Sequence, residues 1–172
     1  MASTHSSIVP GSLLTAQLIP DHELRRAFEV NVIGPMSLTR RLLPSLRAAQ
    51  GRIVNIGAIS AQTTPPFFGA AGATKSALAS FNDALRMECA KFGVEVVLIE
   101  PGALKTDIFA TAAKTQVAVL DRASKQVLAI YKGIRGTVSD GERLKLLMRG
   151  LKKPQIRSPK GGFPLVGYRT TK

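Results

Sequence analysis

The stretch RIVNIGAISAQTTPPFFGAAGATKSALASFNDALRMECAKF, residues 52–92, decides the fold. Its first five residues, RIVNI, form a β-branched run closed by Gly57, which is typical of a parallel strand buried on both faces. The later part predicts a long helix that stops at Gly93, because apolar residues recur at three- and four-residue steps. Those apolar residues are Leu78, Phe81, Leu85, Cys89 and Phe92.

Two neighbouring segments extend this pattern. VEVVLIEPG, residues 94–102, predicts a second strand that ends at Pro101-Gly102, so the order is strand, helix, strand. Such a unit makes the two strands parallel through a right-handed crossover. Upstream, residues 21 to about 48 predict one long helix with Asp21 as its N-cap and a kink at Pro35. The apolar stripe of that helix is Leu24, Phe28, Leu38, Leu42 and Leu46.

Four pieces of the chain resemble classical short-chain dehydrogenases/reductases, most closely the steroid and retinol dehydrogenase-like branch. They are FEVNVIGP (28–35), GRIVNI (51–56), FFGAAGATKSAL (67–78) and VVLIEPGALKTDI (96–108), and they stand in the family's order and spacing. The resemblance is close over residues 8–107 and weak beyond. It implies a partial doubly wound, Rossmann-like parallel α/β sheet that lacks the N-terminal β-α units.

The family transfers hydride between NAD(P)(H) and carbonyls or alcohols, using an Asn, a Ser and a Tyr-x-x-x-Lys pair. The resemblance places Asn31 and Lys75 at the Asn and Lys positions. Ala71 stands where the family has Tyr, and Ala58 stands where it has Ser. An alanine cannot donate a proton or bind an oxyanion, and losing a positioned general acid alone costs about 10²–10⁴ in rate.

NAD or NADP is the cofactor that the resemblance implies. Its binding residues by resemblance are Lys75, Pro101, Gly102, Leu104 and Thr106. The chain has no G-x-G-x-x-G turn, which in dinucleotide-binding folds holds the pyrophosphate, so cofactor binding lacks its phosphate half. No metal site is predicted, because the two histidines have no further ligand pattern near them.

The function that follows is a truncated, catalytically inactive family member, and alternatives stay open. The chain could be a non-catalytic dimerisation module, or a gene fragment or altered chain without independent function. It could also be an oxidoreductase completed by another chain or by substitute hydroxyls from Ser60, Thr63 or Thr64. Tyr131 and Tyr168 lie well outside the matched helix.

The 172 residues predict one domain with four parts. Residues 1–7 match nothing, residues 8–107 form the family-like core, residues 108–153 form a helical lid-like region and residues 154–172 form a basic end. Helices are predicted over residues 117–131 and 141–152, and FPLVGY (163–168) predicts a third parallel strand beside VEVVLI. Without the family's earlier strands, RIVNI is expected to have an unpaired edge.

Composition and charge indicate which classes of partner the chain can bind. The formal net charge is +13, and 11 of the 24 basic residues lie at or beyond Lys132 with only 2 acidic ones. A solvated basic end with weak contact to anionic surfaces is expected, and specific nucleic-acid binding is not. In the family that the chain resembles, two such helices form a dimer interface. The resemblance therefore implies a homodimer, or a heterodimer with an intact relative, through the two long helices, one of which begins with small residues. No signal or membrane-spanning segment is predicted, so the expected location is cytoplasmic.

Overall fold

The computed structural model describes residues 2–4, 17–64, 68–102, 123–130 and 155–157. Four strands and four α-helices lie in these ranges, together with a π-helical turn, Glu29–Ile33, and a 3₁₀ turn, Ile59–Ala61. The strands are β1 (Ala2–Thr4), β2 (Arg52–Ile56), β3 (Glu95–Glu100) and β4 (Gln155–Arg157), and the α-helices are α1 (Asp21–Phe28), α2 (Gly34–Ala48), α3 (Gly69–Ala90) and α4 (Lys125–Ile130).

The predicted strand–helix–strand unit is confirmed as β2, α3 and β3. The strands lie in the order β1-β2-β3-β4, and β1, β2 and β3 run parallel. Ile53 lies opposite Val96, and Asn55 lies opposite Leu98. Parallel strands place their carboxyl ends at one edge of the sheet, so the segments after β2 and β3 meet there.

The predicted unpaired edge of β2 is wrong. Residues Ala2–Thr4, from the segment that matches no family pattern, pair with it in parallel, with Ala2 opposite Ile53 and Thr4 opposite Asn55. Buried backbone N–H and C=O groups require partners. A three-residue extended segment supplies them through its own backbone, which carries no sequence signature.

The neighbour of β3 also differs from the prediction. Gln155–Arg157 pairs with β3 in antiparallel orientation, where a parallel strand over residues 163–168 was predicted. Residues 163–168 and the predicted helix over 141–152 lie outside the described residues. Of the predicted helix over 117–131, the described part becomes helical at Lys125, because the hydroxyl of Ser124 accepts the N–H of Val127 as an N-cap does.

The long helix over residues 21–48 is present but interrupted. It begins at Asp21 with Pro20 as the N-cap, one residue before the predicted cap, and the carbonyl of Pro20 accepts the N–H groups of Glu23 and Leu24. The irregularity lies in the π-helical turn, just before Pro35, which is the second residue of α2. Proline has no N–H for the carbonyl four residues earlier and its ring crowds that group, so the preceding turn widens.

The hydrophobic core lies between β2, β3 and the two long helices, α2 and α3, which pack on one face as predicted. Cys89 is a core residue, as its place on the apolar stripe indicated, and burial raises the pKa of its thiol. Leu38 is 42% exposed, contrary to its predicted place on the α2 stripe. Eight residues at 3.6 per turn leave it about 80° around the helix from Leu46. The core residues are Leu46, Ile53, Leu85, Cys89, Val94 and Val96, flanked by Leu42, Leu43, Phe81 and Phe92.

Among the described residues, no helix is long and apolar enough to cross a membrane.

A pair of buried asparagines joins β2 to α3, and its loss should destabilise the fold. The Nδ2 of Asn55 donates to the Oδ1 of Asn82 at 2.9 Å, and neither residue is exposed. The Asn82→Ala substitution leaves the Asn55 amide buried without that acceptor, so we expect a loss of about 2 kcal/mol in the free energy of unfolding. Urea unfolding measures it, with Glu88→Ala on the exposed face of α3 as the control. A loss no larger than that of the control would contradict the prediction.

Candidate functional site

Lys75 lies where α3 covers the carboxyl end of β2. The side chain is only 3% exposed, and its Nζ donates to the carbonyl oxygen of Ile56, the last residue of the strand, at 3.1 Å. Removal from water penalises the charged amine, so burial lowers the pKa of Lys75 to about 8. The lysine of the predicted site is therefore a desolvated amine held at the carboxyl edge of the sheet.

Asn31 is connected to the same part of α3 by hydrogen bonds. It lies in the π-helical turn, is 1% exposed, and donates from Nδ2 to the hydroxyl of Thr74 at 3.2 Å. Thr74 in turn donates to the carbonyl of Ala71 at 2.9 Å. The structure thus links Asn31, residue 71 and the residue before Lys75, and it fixes the π-helical turn against the first two turns of α3.

The two alanines lie close to this arrangement. Ala71 is 3% exposed and lies one helical turn before Lys75, so the two residues share a face of α3. Ala58 follows β2 in extended conformation and is half-buried. Neither side chain offers a group that ionises or forms hydrogen bonds, so the position one turn from the amine is chemically inert.

The three residues that could supply a substitute hydroxyl, Ser60, Thr63 and Thr64, differ in burial and in contacts. Ser60 is buried in the 3₁₀ turn, and its carbonyl accepts the hydroxyl of Thr64 at 2.9 Å. The side chain of Thr64 fills the space where a Cβ on Gly72 would lie, which brings it beside the first turn of α3. Thr63 is exposed. Of these candidates, the structure places Thr64 against the residue that follows Ala71.

The carboxyl end of β3 completes the edge. The N–H of Gly57 donates to Ile99, and the N–H of Ile59 donates to Pro101, which ties the segment after β2 to the segment after β3. A Cβ added at Gly102 would meet no atom within 4 Å, so the space beside the Pro101-Gly102 turn is open. Leu104 and Thr106 lie outside the described residues.

Two buried polar residues of this edge were not predicted from sequence. Thr74 joins Asn31 to α3 across 43 positions, and Glu100 is fully buried with its Oε2 accepting from Gln62 at 2.7 Å. Glu100 immediately precedes Pro101-Gly102, and a charged residue at the end of an otherwise apolar run was the available signal. For Thr74 there was none, because its partner is set by the path of the π-helical turn.

The described residues fit one end of a dinucleotide. The buried amine of Lys75 and the open space beside Gly102 lie at the carboxyl ends of adjacent parallel strands, where ligands of open α/β sheets bind. No G-x-G-x-x-G turn occurs in the sequence to hold a pyrophosphate. The fit of the described residues is to the nicotinamide end.

Comparison with protein families and curated proteins gives matches over the same region. The family model for short chain dehydrogenases matches residues 11–117. An NADPH-dependent 3-dehydrocapnine reductase of Ornithobacterium rhinotracheale is 42% identical over 101 residues, which is 56% of this chain and 36% of the relative. Estradiol 17-beta-dehydrogenase 2 of Rattus norvegicus is 34% identical over 121 residues, 69% of this chain and 32% of that protein. The chain spans about a third of the length of these curated relatives.

Comparison with solved structures also gives matches to short-chain dehydrogenases. A short-chain dehydrogenase from Streptomyces avermitilis aligns with a TM-score of 0.53 and 40% identity, over 55% of this chain and 36% of that one. A 3-ketoacyl-(acyl-carrier-protein) reductase from Brucella melitensis, solved with NADH, aligns with a TM-score of 0.54 and 28% identity, over 62% of this chain and 45% of that one. The partial Rossmann-like sheet predicted from sequence is confirmed.

Proposed function

Because the chain belongs to the short-chain dehydrogenase family, we propose that it is a non-catalytic member that keeps the nicotinamide end of the family's site. The observation that carries the proposal is the pair of alanines at positions 58 and 71, beside a buried lysine and a buried asparagine. The retained groups, Asn31 and Lys75, bind and orient. The groups that would move a proton to or from a substrate oxygen are missing.

The roles of the remaining side chains follow from their contacts. A nicotinamide cofactor, when bound, would be the carrier of the hydride that catalytic members of the family transfer. The amine of Lys75, already at the carboxyl edge of β2, is the donor placed to bind a ribose hydroxyl, and Asn31 fixes the π-helical turn through Thr74. The hydroxyl of Thr64 donates its one hydrogen to the carbonyl of Ser60, and an aliphatic alcohol is too weak an acid to replace a phenol.

Weak cofactor binding should appear in thermal unfolding. At about five times its dissociation constant a ligand stabilises by about 1 kcal/mol, which raises Tm by about 2–4 °C for a chain of this length. We expect such a shift only with millimolar NADH or NADPH, because the printed sequence has no G-x-G-x-x-G turn to hold the pyrophosphate. Lys75→Met should abolish the shift, and the matched control Lys91→Met, at an exposed lysine, should retain it. An unchanged Tm for the wild type would contradict the proposed cofactor binding but not the proposed loss of catalysis.

Pairing through the long helices is a second candidate function, favoured by exposed apolar side chains. Met87 is 65% exposed and Leu38 is 42% exposed, on α3 and α2. Ala73, Ser80 and Met87 repeat every seven residues and are all exposed, so they lie on one outer face of α3. The small side chains of Ala73 and Ser80 permit a second helix to approach this face closely.

Light scattering after size exclusion tests this pairing. We expect a dimer at micromolar concentration and a monomer for Met87→Glu, because a carboxylate in an apolar interface lacks a partner. Lys91→Glu, a charge change at an exposed residue beyond the end of α3, is the matched control and should remain dimeric. A wild-type monomer would refute the pairing without touching the cofactor proposal, and a chain with no cooperative melt would be a fragment without independent function.

A further inference from the structure

The amine of Lys75 has the setting of a nucleophile, quite apart from any cofactor. Its side chain is almost completely buried, and its Nζ donates to the backbone carbonyl of Ile56 at the sheet edge. On the same helical face, one turn earlier, stands Ala71, whose side chain ends at Cβ. A reacting molecule that approaches along this face meets a methyl group and then the amine.

The route to this face runs past the turn after β2. Thr63 and Thr64 are exposed, and the side chain of Thr64 contacts Gly72, the residue next to Ala71. Glycine and alanine leave little bulk on this turn of α3, and the threonine side chain that contacts Gly72 belongs to an exposed residue. Only a small ligand fits a site in which the amine-bearing side chain is 3% exposed.

We propose that the amine of Lys75 forms an imine with small aliphatic aldehydes, which makes it a covalent carbonyl-binding site that needs no nicotinamide cofactor. The nitrogen lone pair attacks the carbonyl carbon, and a carbon–nitrogen double bond replaces the carbon–oxygen double bond. The oxygen leaves as water with both amine hydrogens. No oxidant or reductant takes part, and the addition is reversible.

The ionisation of the amine supports this chemistry. Burial lowers the pKa of Lys75 to about 8. About a tenth of such an amine is neutral at pH 7, whereas an ordinary exposed lysine amine, with a pKa of about 10.4, is neutral for less than about one part in a thousand. Desolvated lysines are the ones that form imines in proteins for this reason.

Most of the described elements that pack on α3 carry charged groups. On β3, Glu100 shares the buried side with Val96 and Leu98, and its carboxylate accepts from Gln62. The 3₁₀ turn contributes none. The other titratable or charged residues of the neighbouring described elements are Glu29 of the π-helical turn, Arg40, Arg41 and Arg47 of α2, Arg52 of β2, Glu95 of β3, and Asp21, His22, Glu23, Arg25 and Arg26 of α1, while α3 itself carries Asp83, Arg86 and Glu88.

Reductive trapping tests the proposal. The wild-type protein is incubated with propanal and sodium cyanoborohydride at about pH 7, digested, and analysed by peptide mass spectrometry. We expect the Lys75 peptide to gain a propyl group at least about tenfold faster than the peptide of exposed Lys91, because its amine is more often neutral. From pH 6 to 9 the Lys75 rate should level off near pH 8, while a free lysine peptide run alongside continues to rise.

Two phenylalanine variants test the geometry. Ala71→Phe places a ring in front of the amine and should slow trapping at Lys75 at least severalfold, with Lys91 unchanged. Ala90→Phe adds the same ring at an exposed position near the end of α3 and should leave Lys75 as reactive as in the wild type. The proposal is overturned if Lys75 is trapped no faster than Lys91 in the wild type, or equally fast in an Ala71→Phe protein that melts like the wild type. The wild-type pH series decides the question if Ala71→Phe does not fold.

Discussion

Replacing Ala58 by serine and Ala71 by tyrosine should raise NADH- or NADPH-dependent reduction of small carbonyl compounds at least about a hundredfold above the wild-type rate. The tyrosine would stand one helical turn before Lys75, whose ammonium form favours the phenolate. The serine would supply a hydrogen bond to the substrate oxygen, and losing one such donor typically costs about 10²–10³ in rate. The wild type itself should not exceed a blank.

The assay follows cofactor absorbance with millimolar NADH or NADPH, since the printed sequence has no G-x-G-x-x-G turn to hold the pyrophosphate. The control is Ala58→Ser combined with Ala71→Phe, which introduces the ring without the hydroxyl. Equal rates for the tyrosine and phenylalanine variants would show that the gain does not come from proton transfer. A wild-type rate well above the blank would contradict the proposed loss of catalysis directly.

The new side chain must fit a tight place. Ala71 is 3% exposed, its carbonyl accepts from Thr74, and the side chain of Thr64 fills the space beside Gly72. A tyrosine ring at position 71 therefore enters a crowded part of the fold, one residue from the contact between Thr64 and Gly72. We expect this crowding to lower the rate of the restored variant, and a Thr64→Ala change in that variant should raise the rate.

The elements predicted best from sequence are those whose buried apolar side chains recur at a regular spacing along the chain. Both faces of β2 are covered, so it reads as an unbroken β-branched run, and α3 shows its buried face through Leu78, Leu85 and Cys89. The two short strands at the edges of the sheet show no such spacing of apolar residues. Ala2–Thr4 and Gln155–Arg157 pair through their backbones, and that explains why their positions could not be read from side chains.

In the candidate site, too, some features could be predicted from sequence and others could not. Asn31, Lys75 and the two alanines follow from motif positions, and the structure brings Asn31 and the turn before Lys75 together through Thr74. Contacts that depend on the path of irregular backbone could not be predicted. The π-helical turn sets the reach of Asn31, and the turn after β2 sets the contact between Gln62 and Glu100.

The Lys75→Met substitution should make unfolding less dependent on pH and should stabilise the protein near neutrality. Lys75 has a pKa of about 8 in the folded protein against 10.5 for the free side chain, so burial opposes its charged form. Below pH 8 the amine is charged in both states, and the folded state carries the whole penalty. Between pH 8 and about 10.5 the unfolded chain binds more protons, so the stability of the wild type rises with pH by about 3 kcal/mol from this group.

Methionine has a similar length and no charge, so the variant lacks this penalty at every pH. It also lacks the hydrogen bond to Ile56, a loss of about 1 kcal/mol that does not vary with pH. We therefore expect Lys75→Met to exceed the wild type by about 2 kcal/mol at pH 7, and this advantage to disappear by about pH 10.5. Urea unfolding at both pH values measures the difference, from which the titration of Cys89 cancels because both proteins contain it. The exposed-site control Lys91→Met should differ little from the wild type, and a gap between Lys75→Met and the wild type that stays constant with pH would show that the amine is not desolvated in the folded chain.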